Sequence, residues 1–253
     1  MANITGLSLL GGIDLYKSQT SPSTSVGALV WDNSTGKAFR YALNGASALV
    51  KGNLLQEAVA DTQFINMAVG VAGVAGDLYL NITNGTTTVV PTQYVGGTIN
   101  VYTAGTVALG DEYTITAVTG TLTSGGAMQV YLDRPLRYAY TTSAKVNMFP
   151  SPWAGVIQAP VTTQTGMPVG VAIYEIPAST ATVFQYGWVQ THGICDILSS
   201  GATFAVGSEV GTPCVTAAGS PDVYAAGTTH ARVGIVRQAA ASGHGITIFL
   251  QID

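Results

Sequence analysis

The sequence predicts an all-β protein: an antiparallel β-barrel or sandwich that carries an inserted second β module and an extended N-terminal arm. Three observations predict it. No segment repeats apolar residues at i, i+3, i+4 and i+7 over twelve positions, so the signature of an amphipathic helix is missing. Short apolar and β-branched runs follow one another, bounded by Gly, Pro and Asn, as in sandwiches and barrels. Finally, one phrase occurs three times, as "NGASALVKGNLL" from Asn44, "TAGTVALGDEYTI" from Thr103 and "SGATFAVGSEVG" from Ser200. Each copy sets a short apolar run between two glycines (Gly45 and Gly52, Gly105 and Gly110, Gly201 and Gly207). Glycine supplies the permissive backbone for a bend. The phrase therefore reads as a scaffold device, a short strand such as Ala48 to Val50 between two turns.

Residues 1–25 end in "SQTSPSTS", polar and aperiodic, and read as an extended arm. "GALVWDNSTGKAFRYAL" places two apolar runs around "DNSTG", which is turn chemistry, so a hairpin is expected with its tip at Asn33, Ser34, Thr35 and Lys37. Leu54 to Phe64 is the best helical stretch, and a marginal one. Residues 61–146 change character. "LYLNITNGTTTVV", "GTINVYTAG" and "YTITAVTGTLTSGG" are rich in Thr and Val, and "AMQVYLDRPLRYAY" alternates through Val130, Leu132, Leu136, Tyr138 and Tyr140. Such β-branched enrichment with Asn-Gly and Gly-Gly turns predicts a self-contained antiparallel module. It interrupts a base domain formed by residues 26–60 and 147–253. "MFPSPWAGVIQAP" reads as an extended connector carrying Trp153, because proline cannot donate to a sheet ladder. "MPVGVAIYEI", "YGWVQTHGICDIL", "HARVGIVRQAAA" and "GITIFLQI" supply the closing strands.

The chain has 253 residues, 47% hydrophobic, yet only 9% are charged, against about 25% in ordinary soluble domains. No run of about 20 apolar residues offers a spanning helix; Thr, Asn, Gly and Pro break every uncharged stretch. The start lacks a basic segment and reaches Asp14 early, a poor match to a secretory signal. So few charges leave two readings, a surface covered by Thr, Ser, Asn and Gln or one covered by other subunits; the second is favoured because obligate interfaces resemble a core cut in half. A formal charge of −4 with scattered Lys and Arg argues against a nucleic-acid partner. Cys195 and Cys214 lack metal-site spacing and read as two small buried thiols, with a single disulfide as the alternative.

Chemistry is sparse. The sequence holds no nucleophile elbow, phosphate loop, dinucleotide fingerprint or zinc-protease motif. His192 lies three residues before Cys195, an offset that puts two strand side chains on opposite faces. Asp111 and Glu112 are adjacent, so they point apart and cannot flank a glycosidic bond. Asp133 beside Arg134 and Arg137 offers an interface ion pair or an exposed loop pair. No enzyme, cofactor or metal is expected, and no small-molecule ligand.

Two stretches carry a resemblance. "GALVWDNSTGKAFRYALNGASALVKGNLLQ" is similar to the N-terminal signature of head-decoration (capsid cement) proteins of tailed bacteriophages, through Asp32, Gly36, Lys37, Phe39, Arg40 and Tyr41, then Ala48, Leu49, Gly52 and Leu55. "YGWVQTHGICDIL" through "ARVGIVRQAAASGHGITIFLQI" resembles the β-barrel end of the same proteins, although "DNSTGK" replaces their tighter hairpin tip. The resemblance implies a non-enzymatic virion protein on the outer capsid surface, bound to the major capsid protein, often as a homotrimer. The arm, the tip residues, Arg134, Arg137 and Trp153 are the interface candidates this reading selects. The second reading is a glycan- or receptor-binding β domain of a phage head or tail fibre.

Overall fold

The computed structural model describes residues 13–103, 109–199, 203–212, 214, 217–224, 231–238, 241 and 244–253. In chain order the strands begin with β1 (Leu29–Asp32), β2 (Lys37–Asn44) and β3 (Leu54–Gln56). Next come β4 (Met67–Val71), β5 (Tyr79–Thr83), β6 (Thr98–Thr103), β7 (Glu112–Gly120), β8 (Ala127–Leu132) and β9 (Lys145–Phe149). The chain closes with β10 (Ala154–Gln158), β11 (Pro168–Ala172), β12 (Tyr186–Leu198), β13 (Glu209–Gly211), β14 (Asp222–Val223), β15 (Arg232–Gln238) and β16 (Gly245–Gln251). Among the described residues, helix is limited to Pro91–Tyr94 and a 3-10 turn at Thr62–Phe64. The protein is all-β. Two compact units divide it: a base unit, Met1–Val59 with Pro152–Asp253, and an inserted unit, Ala60–Ser151.

The inserted unit is a closed six-stranded antiparallel barrel in the order β4-β5-β8-β7-β6-β9. β6, β7 and β8 are successive neighbours and β9 returns beside β6, a Greek key. Its sequence alternates as a half-buried strand requires: Tyr113 and Ile115 of β7 face inward while Thr114 and Thr116 face out. A bulge between Ile115 and Ala117 then resets the parity, so that Val118 rather than Ala117 enters the core. The alternation read through Tyr140 ends earlier, at Leu132. Leu136 and Tyr140 reach the core from an irregular segment beyond the strand. The second unit boundary falls after Ser151, not at 146/147, because β9 closes the barrel.

In the base unit, β2 pairs with β10 and β12, β10 with β3, β3 with β11, and β11 with β12. These five strands form a closed ring, filled by Ala42, Leu49, Leu55, Val156, Val169 and Val189. β12 has 13 residues and outruns the ring; its second half pairs β16, which continues through β15 and β13 to β14. A second core with Cys195, Ile197, Val233, Val236, Ile248 and Leu250 lies under that extension. The connector expected around Trp153 is instead bordered by two strands. Pro150 and Pro152 fall in the gap between β9 and β10, where no ladder bond is lost.

The arm is also corrected over the residues described. Gln19 bridges Tyr186 through two backbone bonds of 3.0 and 2.8 Å, and Tyr174 donates its hydroxyl to Lys17 O. Ile13, Leu15, Val26 and Ala28 pack on a cluster of Phe39, Tyr41, Leu43, Tyr186 and Trp188. Apolar burial, worth roughly 1.5–3 kcal/mol for a large side chain, outweighs the polar composition that suggested a free arm. Residues 1–12 of the expected arm lie outside the described residues.

The threefold phrase resolves into one turn. Gly52, Gly110 and Gly207 have φ of 82°, 85° and 85°, and each leads within two residues into or up to a strand. In two copies the bond closing the turn is seen, from Asn53 N to Val50 O and from Ser208 N to Ala205 O. That places the left-handed residue third of four, as a type II turn requires. Gly45 serves differently. A Cβ there would lie 3.1 Å from Gly155 O and Val156 O, so its role is close approach to β10. Ala48 to Val50 is less than a strand, because only Leu49 bridges, to Ile176. Gly105 and Gly201 lie outside the described residues.

Gly193 combines both demands. Its φ is 89°, and a Cβ would sit 2.6 Å from Gly36 O of the hairpin tip. At Gly207 (φ 85°) a Cβ meets nothing within 4 Å. Gly207→Ala should therefore cost about 1 kcal/mol, the left-handed strain alone, and Gly193→Ala roughly 3 kcal/mol or more, since backbone must also move. Urea unfolding followed by Trp fluorescence isolates the base unit, which holds all three tryptophans, Trp31, Trp153 and Trp188. Equal shifts for the two variants would contradict this assignment.

Candidate functional site

The hairpin tip is exposed yet internally braced. Asp32 Oδ1 accepts from Ser34 N at 2.9 Å and Ser34 Oγ at 2.7 Å, and Oδ2 accepts from Thr35 Oγ1 at 2.6 Å. Gly36 N donates to Asp32 O, with Gly36 at φ 66°. The Thr35 and Ser34 hydrogen bonds hold the Asp32 carboxyl down at about 2. Its contribution to tip order is therefore present above the ordinary carboxylate range and is lost only as pH falls through about 2. Asn33, Ser34 and Thr35 are presented by a loop with little freedom left to lose. Lys37 opens β2, and its chain would touch a Cβ added at Gly193.

Beside the tip, one sheet face carries an aromatic ladder. Trp31 and His192 both register against Ala38, one from each side of β2. Their rings lie 5.1 Å apart over a fully buried Ala38. The Phe249 ring follows at 5.2 Å from His192, edge to face. Ile194 registers against Phe249, and Leu29 lies two residues before Trp31 on the same face. Trp31 is 44% exposed, Leu29 49% and Ile194 39%. β1 is an edge strand of the sheet, so this apolar surface borders a row of unpaired backbone groups, a template for pairing.

A β-bulge between Gln190 and His192 puts the histidine on this face. The Gln190 amide donates to both His192 O and Ile194 O at 2.9 Å, satisfying carbonyls at the irregularity. Cys195 points to the opposite, buried face, so the residues of "THGIC" form no nucleophile pair. Burial pushes the Cys195 thiol up to about 12, with Lys37 pulling slightly the other way, and the Cys214 thiol up to about 11. Both cysteines are free.

Trp153 takes a supporting place rather than an exposed one. It is half-buried against the ring core, and its indole N–H donates to Val169 O at 3.4 Å. The Arg40 guanidinium lies 4.4 Å from its ring centroid, donates to Gly27 O, and grips Asp253 through two bonds of 2.9 and 3.1 Å. Burial would raise the Asp253 carboxyl, but hydrogen bonds from Arg40 and Thr191 and the charges of Arg40 and His192 hold it below the usual range. Such cation–π and bidentate contacts position the sheet edge near Leu29.

Arg134 and Arg137 belong to the inserted unit. Arg134 pairs with Asp133 at 3.1 Å, donates to Glu112 O, and lies 5.1 Å from the Tyr113 ring centroid. Within the chain Asp133 thus pairs with Arg134 as an exposed loop pair, while the Arg137 side chain is exposed and its backbone N–H donates to the Tyr113 hydroxyl. Asp111 accepts from Tyr113 and Tyr140, while Glu112 is solvent-facing, so the adjacent carboxylates do not converge. Among the described residues no group of three His, Cys, Asp or Glu could hold a metal, and no helix is long and apolar enough to cross a membrane. The sequence singled out the tip and Trp153. It missed the Trp31–His192–Phe249 ladder, whose members come from three strands. The alternation of "LVWD" and "GITIFLQ" was its only local trace.

No family model, curated protein or solved structure matches the chain.

With thiolate formation suppressed at both cysteines, an aromatic disulfide reagent at pH 8 should label neither in the folded protein and both in denaturant without reductant. Rapid labelling of the native chain would contradict the burial. Fewer than two equivalents after unfolding would contradict the free thiols.

Proposed function

We propose that this chain is a non-enzymatic structural protein of a tailed-phage virion, a decoration protein that binds the major capsid protein on the outer surface of the head as a homotrimer. The observation that carries the reading is the Trp31–His192–Phe249 ladder beside the braced tip Asn33 to Lys37. An exposed aromatic surface next to a preordered polar loop can bind without a large entropy loss. Aromatic residues are also the side chains over-represented at protein interfaces. The edge strand β1 lends backbone groups to the same surface.

Charge supports the same reading. Arg40, Arg134 and Arg232 are each paired with a nearby carboxylate, Asp253, Asp133 and Glu209. With a formal charge of −4 and the other Lys and Arg scattered along the chain, apolar contact is left to do the binding. Three copies of a modest surface gain avidity when held together, because each later contact forms at a high effective concentration. A head strained by packaged DNA would be held by many such clamps.

Light scattering should give a trimer for the isolated protein, and mixing with emptied heads of the parent phage should give saturable occupancy. Trp31→Ser should lower head affinity at least about tenfold, as loss of an interface anchor does, while the base unit keeps its unfolding free energy within about 0.5 kcal/mol. A monodisperse monomer with no affinity for heads, or undiminished occupancy by Trp31→Ser, would overturn the reading.

A further inference from the structure

The outer face of the inserted barrel carries a second surface, unlike the first. Across β4, β5, β8 and β7, Val71, Asn81, Gln129 and Thr119 stand in one register row. The neighbouring row holds Tyr79, Tyr131 and Ala117. All face away from the core, whose members are the alternate residues Leu80, Ile82, Val130 and Val118. No residue in either row is charged.

The polar groups are joined in sequence. The Tyr131 hydroxyl donates to Gln129 Oε1 at 3.1 Å, and Gln129 Nε2 donates to Asn81 Oδ1 at 3.3 Å. Each bond orients the next, leaving the Asn81 amide N–H groups free as donors at the end of a polarised chain. The Tyr79 and Tyr131 rings lie 5.8 Å apart at 45°. Both rings are half-buried on the outer strand face.

We propose that this face is a binding site for a neutral oligosaccharide. A sugar ring has an apolar face of C–H groups and a rim of hydroxyls. Paired tyrosines supply the apolar platform, and Asn81, Gln129 and Thr119 supply donors and acceptors one strand spacing away. The absence of charge on both rows selects a neutral sugar: a uronate or sulfate would be desolvated with no countercharge. This site does not depend on the virion role proposed above.

Isothermal titration of the full chain with cellohexaose, maltohexaose, chitohexaose and mannohexaose tests the assignment, with hexagalacturonate as the charged comparison. At least one neutral hexasaccharide should bind, at least about tenfold tighter than hexagalacturonate. Tyr131→Ser and Gln129→Ala should each weaken that binding about tenfold or more, in line with the energy of one aromatic or hydrogen-bonding contact. Tyr79→Ser reads the same platform from the neighbouring strand should Tyr131→Ser fail to fold. Trp31→Ser, in the other unit, should leave sugar binding unchanged. No binding by any neutral member, stronger binding of the uronate, or full affinity in folded Tyr131→Ser or Tyr79→Ser would overturn the proposal.

Discussion

The base unit depends on one constraint: β12 must close the ring and carry the extension of the same sheet at once. Its first half closes the ring between β2 and β11, and its second half carries β16. The change of partner from β11 to β16 falls between Gln190 and His192, where the ladder to β2 on the other edge of the strand carries a bulge. Gly193 permits it twice over, by its positive φ and by the approach of Gly36 O. The Gln190 side chain then replaces the bonds the bulge removes. From this one irregularity follow the outward turn of His192, its contact with Trp31, and the inward turn of Cys195. Scaffold and candidate site are set by the same short stretch, Gln190 to Cys195.

The second theme is charge economy. A chain with nine Lys and Arg and thirteen Asp and Glu can cover its surface only by leaving wide areas uncharged. In each unit such an area lies on a strand face with aromatic residues. Their chemistry differs. In the base unit the rings of Trp31, His192 and Phe249 sit among Leu29 and Ile194, a surface suited to apolar contact with protein. In the inserted unit the Tyr79–Tyr131 pair sits among amides and hydroxyls already aligned by hydrogen bonds, a surface suited to a neutral polar ligand.

Much of this was legible from residue order because it is local. The hairpin around "DNSTG", the Thr and Val alternation of β7, the long strand "YGWVQTHGICDIL" and the recurrent turn at Gly52, Gly110 and Gly207 all depend on neighbours a few positions away. What was not legible depends on distant partners. Pro150 and Pro152 suggested a connector, yet they fit between β9 and β10, each of which finds its pairing in another segment. The polar stretch before Val26 suggested a free arm, but sparse apolar residues such as Ile13 and Leu15 suffice to dock it once Tyr186 and Trp188 present a surface. Trp153 drew attention as a lone tryptophan among prolines; its partner Arg40 lies 113 positions earlier. Neither aromatic face could be seen, since cross-strand register decides which rings meet.

The central claim is that the tip and the ladder beside it are where this protein meets the capsid. Hydrogen–deuterium exchange on the chain, free and bound to emptied phage heads, measures that contact directly. The account predicts slowed exchange concentrated in residues 29–37 and 192–195, with the barrel strands of the inserted unit unchanged. Protection confined to the inserted unit, or spread evenly with no change at Trp31 and His192, would contradict it.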